Sequence, residues 1–170
     1  VWSWGDYFAD KMKGIKMTHA KWRRPDPATA PSDAKAAGLY MICTMSKHAA
    51  EKAGYADALM LDWRGQVAEA TGANIFFIRD GAIHTPTPDC FLNGITRQTA
   101  IKLAKSRQIE VVERAIFPDE LSTFSECFIT GTAAEITPVA EIGDVKYTPG
   151  EITGNLVDDY DKLVRGKMTL

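Results

Sequence analysis

The chain has 170 residues, of which 45% are hydrophobic and 25% charged, and its formal charge is −2. These values are typical of one globular domain, and they exclude a disordered tail, a collagen-like fibre and a disulfide-rich miniprotein. Nothing in this charge balance favours binding of nucleic acid or of an anionic membrane. The apolar runs fall short of the ~20 residues of a membrane helix. The cysteines number three and lie far apart, which argues against a disulfide framework or a zinc site and favours the cytoplasm.

The first thirty-odd residues are predicted to be irregular. Aromatic side chains crowd positions 2–8, and three prolines between positions 25 and 31 exclude a helix there. We therefore interpret residues 1–32 as an extended segment or linker that leads into a compact domain over residues 33–170.

Helix and strand patterns alternate through the rest of the chain. Residues 38–53 are predicted to form a helix with buried first turns and exposed last turns, ended by Gly54. The remaining predicted elements are hairpins over 58–69 and 74–85, a helix after 94, strands over 109–116, 127–130 and 136–142, and a helix over 150–165. This mixture of strands, hairpins and helices predicts an α+β (mixed α/β) fold.

Composition and spacing alone indicate no strong site. The segments that merit attention are Lys35, Glu69 at a strand end, Gly94–Arg97 at a helix start, and the turn Gly131-Thr132. Each has an ordinary structural explanation, and for Lys35 a solvated surface lysine is the first expectation. A helix N-terminus or a tight turn presents free N–H groups, which bind an anion in some proteins and not in others.

Together, however, these segments resemble the class IV pyridoxal-phosphate aminotransferases, and within them the branched-chain amino acid subgroup. The matching segments are Lys35 with Tyr40 five residues later, Glu69, Asn74-Ile75-Phe76, Ile83-His84-Thr85, Gly94-Ile95-Thr96-Arg97, and Gly131 through Val139. The last segment is close to the branched-chain form, whereas D-amino acid aminotransferases and aminodeoxychorismate lyases usually differ there. The similarity extends from about Trp4 to the last predicted helix.

The resemblance implies a role for each residue and a cofactor, pyridoxal 5'-phosphate. Lys35 would be the catalytic residue that forms the Schiff base and transfers the proton, with partial desolvation keeping its amine reactive. Glu69 would face the pyridine nitrogen and Tyr40 the phenolic oxygen. The other implied contacts are Leu92 on the cofactor ring, Ile95, Thr96 and Thr132 at the phosphate, Thr132 and Ala133 at the substrate carboxylate, and Trp4 and Tyr7 near the substrate. No metal is implied.

The implied fold is the large cofactor-binding domain of fold type IV, a D-amino acid aminotransferase-like pseudo-barrel of strands with flanking helices. The implied reaction moves the amino group of leucine, isoleucine or valine to 2-oxoglutarate, in a cytoplasmic homodimer or larger homo-oligomer whose partners are amino acids and 2-oxo acids. In this reading, residues 1–32 are the end of the family's small N-terminal domain and the interdomain linker. The rest of that domain, which supplies an arginine to the phosphate, is absent from the chain.

The chain departs from the family pattern at Leu39, Ala73 and Asn93, where Asn, Glu and Pro respectively are frequent. Two alternatives to the interpretation as a branched-chain amino acid aminotransferase stay open. One is another class IV enzyme, a D-amino acid aminotransferase or an aminodeoxychorismate lyase. The other is an incomplete domain without catalytic activity of its own.

Overall fold

The computed structural model describes residues 11–170 of the chain. In this part of the chain a 3-10 turn over Ala37–Tyr40 leads directly into the first α-helix. The strands and α-helices, in chain order, are β1 (Ile15–His19), α1 (Met41–Lys52), β2 (Asp57–Leu61), β3 (Val67–Ala70), β4 (Asn74–Arg79), β5 (Ala82–Thr85), α2 (Ile95–Ser106), β6 (Val111–Glu113), β7 (Glu126–Gly131), β8 (Glu135–Ile142), β9 (Val145–Lys146) and α3 (Glu151–Val164).

These strands form one sheet in the order β3-β2-β1-β8-β7-β4-β5-β6, with β9 paired to β8. Neighbouring strands run antiparallel except at β1–β2, β1–β8 and β5–β6, where they are parallel. The sheet curls into a half-barrel with helices packed against it. The predicted mixed α/β fold with a pseudo-barrel of strands is therefore confirmed.

The core lies on both faces of the central strands. Phe76 stacks on Phe128 beneath α2 and α3, with ring centroids 4.7 Å apart. Phe77 points to the opposite face and stacks on Phe124 at 4.9 Å. Because both faces of β4 are covered, Ile75 to Ile78 form an unbroken buried apolar run. Each such phenylalanine contributes about 1.5–3 kcal/mol to folding through the apolar surface it buries.

Most of the predicted elements are confirmed. The hairpins β2–β3 and β4–β5 form, and Asp80 and Gly81 adopt φ angles of 54° and 79°, as a tight two-residue hairpin turn requires. Helices α2 and α3 lie where the apolar spacing predicts them, with Leu103 and Leu156 fully buried.

One strand contradicts the prediction that the first thirty-odd residues are irregular. β1 lies in the interior of the sheet between β2 and β8, and Met17 is fully buried. The strand is parallel to both neighbours, so its pairing partners lie about 40 and 125 residues away in the sequence. Its one local signal was the alternation of Ile15 and Met17 with polar residues.

Two other predictions are wrong in detail. The first turns of α1 are not buried, since Met41 is 64% and Met45 47% exposed. Helix α1 contacts the sheet through a stripe of small residues instead, namely Cys43, Ser46 and Ala50. The strand predicted over 109–116 shortens to β6, because its partner β5 has only four residues and ends before Pro86.

Candidate functional site

A cavity of about 490 Å³ lies where the β3–β4 turn, the start of α2, the β7–β8 turn and the segment before α1 meet. Every predicted site residue that the structure describes lines it: Lys35, Tyr40, Glu69, Leu92, Ile95, Thr96, Thr132 and Ala133. The predicted substrate residues Trp4 and Tyr7 lie outside the described residues. The volume is within the range of about 300–1,000 Å³ typical of small-molecule sites.

Lys35 and Tyr40 reach the cavity from the segment before α1. Lys35 lies two residues before the 3-10 turn and is exposed, so the described residues do not provide the desolvation expected for its amine. Tyr40 ends that turn and is half-buried. Burial raises the pKa of its phenol, and the nearby Glu69 raises it further.

Glu69 lies on β3 and is buried, with 9% of its surface exposed. Its carboxylate oxygen is 3.3 Å from Nε of Arg24. Burial raises the pKa of Glu69 to about 8; the guanidinium of Arg24 pulls it down, and Asp57 raises it. Burial therefore favours the protonated carboxyl more than at a surface glutamate, whereas the Arg24 guanidinium favours the carboxylate.

Arg24 is a cavity residue that the sequence interpretation missed. Its side chain is buried, although it lies in the proline-rich segment that predicts a linker. The adjacent Arg23 is exposed. No local pattern distinguishes the two arginines, because the burial of Arg24 depends on a backbone bridge to Asp62, far along the chain.

The N-terminus of α2 opens into the same cavity. Gly94 is the N-cap residue and has no side chain to accept hydrogen bonds from the first-turn N–H groups. Asn74 anchors this loop, because its Nδ2 donates to the Leu92 carbonyl at 2.8 Å and its Oδ1 accepts from the Gly94 N–H at 3.3 Å. A Cβ at Gly94 would lie 2.6 Å from that Oδ1, so any larger residue there would displace the side chain that anchors the loop. Such a helix start presents N–H donors and positive dipole charge to an anion.

Arg97, from the same motif, faces away from the cavity and holds the loop from behind. It is 1% exposed. Its guanidinium donates to the Asn93 side chain at 2.9 Å, to the Pro86 carbonyl at 3.0 Å and to Glu113 at 2.7 Å. These bonds connect β5, β6 and the first turn of α2, so Arg97 supports the shape of the cavity rather than lining it.

The β7–β8 turn forms the opposite wall. Thr132 and Ala133 are exposed at this turn, and a Cβ at Gly131 would lie 3.3 Å from the Gly72 carbonyl oxygen. On β7, the Thr130 hydroxyl is buried and has no hydrogen-bond partner among the described residues. The wall thus combines close backbone packing with a polar atom that the described residues leave without a hydrogen-bond partner.

This donor set fits pyridoxal phosphate. The cavity offers a lysine amine, a buried carboxyl whose pKa is raised, a phenol, and a helix N-terminus without a side-chain cap. An aldehyde, a pyridine nitrogen, a phenolic oxygen and a phosphate are the groups that these four features bind.

Comparison with known proteins agrees with this geometry. Residues 2–142 match the sequence profile described as amino-transferase class IV. A probable branched-chain-amino-acid aminotransferase from Aquifex aeolicus is 44% identical over 166 residues, 95% of this chain and 53% of that protein.

Two crystal structures share the fold. The branched-chain aminotransferase from the archaeon Thermoproteus uzoniensis with norvaline is 38% identical at a TM-score of 0.92, covering 98% of this chain and 56% of that one. The branched-chain amino acid aminotransferase from Thermobaculum terrenum in its PLP-form is 36% identical at a TM-score of 0.87, covering 91% of this chain and 52% of that one. The chain spans about half the length of the relatives it matches.

The helices of the described residues lack the length and apolar character needed to cross a membrane. The matched profile covers all the segments that form the cavity. The chain therefore belongs to the class IV aminotransferase family.

Proposed function

We propose that the protein containing this chain is a branched-chain amino acid aminotransferase that uses pyridoxal 5'-phosphate. The observation that carries the proposal is the convergence of Lys35, Glu69 and the α2 N-terminus on one cavity. Further support comes from the relatives' names, and from the norvaline and the PLP-form named with two structures of the same fold.

When bound, the cofactor supplies a reactive aldehyde and an electron-accepting ring. Lys35 would be the nucleophile for that aldehyde, and its Nζ would serve as the acid–base group of the site. Glu69 would face the ring nitrogen, where burial, which raises the pKa of its carboxyl to about 8, favours a proton between the two groups. Thr96, Thr132 and the N–H groups of the α2 first turn would hold the phosphate.

The turn at Thr132 and Ala133 provides N–H groups for a substrate carboxylate, which amino acids and 2-oxo acids both carry. The amino group of leucine, isoleucine or valine passes to 2-oxoglutarate. Trp4 and Tyr7 are proposed substrate contacts in the part of the chain before the described residues. The domain boundary near residue 32 also stays a proposal, and β1, which precedes it, already belongs to the sheet.

We further propose that the active protein is a cytoplasmic homo-oligomer of longer chains. Exposed apolar side chains on α1 and at the start of α2 support association, since exposed apolar patches usually mark partner sites. These are Met41, Met45 and Ile95, which is 85% exposed.

Substrate profiling of a chain extended at its N-terminus tests the activity. We expect 2-oxoglutarate-dependent transfer from leucine, isoleucine and valine, and little from D-alanine. Preferential turnover of D-amino acids or of aminodeoxychorismate would assign the protein to one of the other class IV activities. The extended chain with Glu69→Gln should bind cofactor but transfer the amino group slowly, because a neutral amide does not maintain the ring proton.

A further inference from the structure

We propose that Arg24 is a positioning residue that fixes Glu69 and ties it to the two neighbouring segments that carry Tyr40 and Leu92. This inference rests on the proposed function for its consequence in catalysis. Its structural part concerns contacts within the chain alone, so it is testable without cofactor.

The contacts of Arg24 reach three separate parts of the cavity wall. Nε lies 3.3 Å from the Glu69 carboxylate on β3, and it donates to the Cys90 carbonyl, two residues before Leu92, at 3.3 Å. Nη1 donates to the Leu39 carbonyl, next to Tyr40, at 3.3 Å. It also donates to the thiol sulfur of Cys43 on α1 at 3.4 Å.

Arg24 is itself held in place from behind. Its backbone N–H donates to the Leu61 carbonyl at 2.8 Å, and the residue bridges to Asp62 just beyond β2. A guanidinium has a planar fork of donors that reaches several acceptors at once, whereas an ammonium is a point charge on a flexible stem. Arginine at this position therefore aligns segments that are far apart in sequence.

The charges around Glu69 make Arg24 the group that favours its ionised form. The titratable and charged groups that face it are Arg24, Asp57, Tyr40 and Cys43. Asp57 opposes ionisation of Glu69, although its own Oδ1 accepts hydrogen bonds from the Thr71 hydroxyl and the Ala58 N–H. Without Arg24 the buried carboxyl keeps its proton to higher pH, because an unpaired buried charge is strongly disfavoured.

The test compares Arg24→Met and Arg24→Lys with Arg23→Met, which removes the exposed neighbouring arginine. The first readout is the unfolding temperature, measured without cofactor over a range of pH. Each variant is measured alone and in combination with Glu69→Gln. In the unsubstituted chain the part of stability due to Glu69 is lost as pH rises from about 4.5 to about 8. In Arg24→Met we expect this loss of stability to continue above pH 8. In Arg24→Lys and Arg23→Met we expect it to occur over the same pH range as in the unsubstituted chain. In the Glu69→Gln background the loss above pH 8 should disappear.

The second readout is the affinity for pyridoxal 5'-phosphate, measured by absorbance titration. Arg24→Lys keeps the charge but loses the fork, so we expect affinity to fall about tenfold, as for a lost hydrogen bond from a charged group. If Arg24→Met does not fold, Arg24→Lys decides alone. The proposal would be overturned if Arg24→Lys bound pyridoxal 5'-phosphate as tightly as Arg23→Met does. It would also be overturned if the loss of stability above pH 8 in Arg24→Met persisted in the Glu69→Gln background. If neither the unsubstituted chain nor its N-terminally extended form binds the cofactor, the proposed function is wrong. The dependence of the unfolding temperature on pH would still test the role of Arg24.

Discussion

At the scale of single residues, the site depends on a carboxyl whose protonation is set by burial. Glu69 is largely inaccessible to solvent, and its pKa of about 8 lies above the ordinary value of 4.5. Between pH 4.5 and about pH 8, the carboxyl of Glu69 is therefore protonated in the folded chain and ionised in the unfolded chain. Stability from this group is fully present below pH 4.5 and is lost as pH rises towards 8.

The Glu69→Gln variant should remove that loss. At about 1.36 kcal/mol per pKa unit, the pH-dependent part is on the order of a few kcal/mol in the free energy of unfolding. Urea unfolding at pH 5, 7 and 9 measures it, with Glu110→Gln as a control at an exposed glutamate. Equal slopes against pH in Glu69→Gln and in the unsubstituted chain would show that Glu69 is ionised throughout.

The loop before α2 provides a second prediction at this scale. A methyl group in Gly94→Ala would press on Asn74 Oδ1, which lies 2.6 Å from the added Cβ. We expect a loss of about 1–3 kcal/mol in stability, as for overpacking of a close contact, and a lower affinity for pyridoxal phosphate. Gly38→Ala is the matched control, since no atom lies within 4 Å of its Cβ. Similar affinity and stability in both variants would contradict the proposed rigidity of this loop.

Residues differ in how well the sequence indicates them. Lys35, Glu69 and Thr132 lie in segments that resemble the class IV motifs, so their place in one site could be predicted from that resemblance, and all three line one cavity. The role of Arg24 could not be predicted, because its burial depends on the backbone bridge to Asp62 and on contacts with Glu69 and Cys90, which only the folded chain brings near it.

At the scale of elements, the start of α3 shows how a buried carboxylate substitutes for a capping side chain. The N-cap residue is Gly150, and Oε2 of Glu126 on β7 accepts hydrogen bonds at 3.0 Å from the N–H groups of Gly150 and Thr153. The same bonds attach the helix to the sheet.

Removing this cap by Glu126→Ala should cost about 0.5–2 kcal/mol, the usual effect of losing a helix N-cap. Chemical denaturation measures the loss, and Glu110→Ala, at an exposed position, serves as the control. Unchanged stability in Glu126→Ala would mean that water replaces the carboxylate at this helix end.

The predictability of an element follows the range of its contacts. The β4–β5 hairpin is specified by its own turn, Asp80-Gly81, and by adjacent strands. β1 has no pairing partner close to it in sequence, because its parallel partners β2 and β8 lie about 40 and 125 residues away. Helix α1 presents Met41 and Met45 to solvent, so hydrophobicity alone misassigned its buried side.

At the scale of the whole molecule, the described residues leave the cavity open around Lys35, which is exposed. The chain spans about half the length of its relatives. We expect a chain extended at its N-terminus to bind pyridoxal phosphate at least tenfold more tightly than the 170 residues alone, because an added cationic phosphate contact is worth about 1.5–3 kcal/mol. Equilibrium titration of both chains checks this, and equal affinities would show that residues 1–170 form the complete binding site.

We propose that Lys35 is the lysine in this cavity that bonds to the cofactor. The most direct measurement is treatment of the chain with pyridoxal 5'-phosphate and then borohydride, followed by peptide mass spectrometry to locate the reduced adduct. Lys35→Ala tests the assignment, and Lys102→Ala, an exposed lysine on α2 outside the cavity, is the control. We predict one dominant adduct on Lys35, retained in Lys102→Ala and lost in Lys35→Ala together with the visible absorbance band. An adduct of equal yield on other lysines, or a visible absorbance band that persists in Lys35→Ala, would show that Lys35 is not the cofactor-binding lysine.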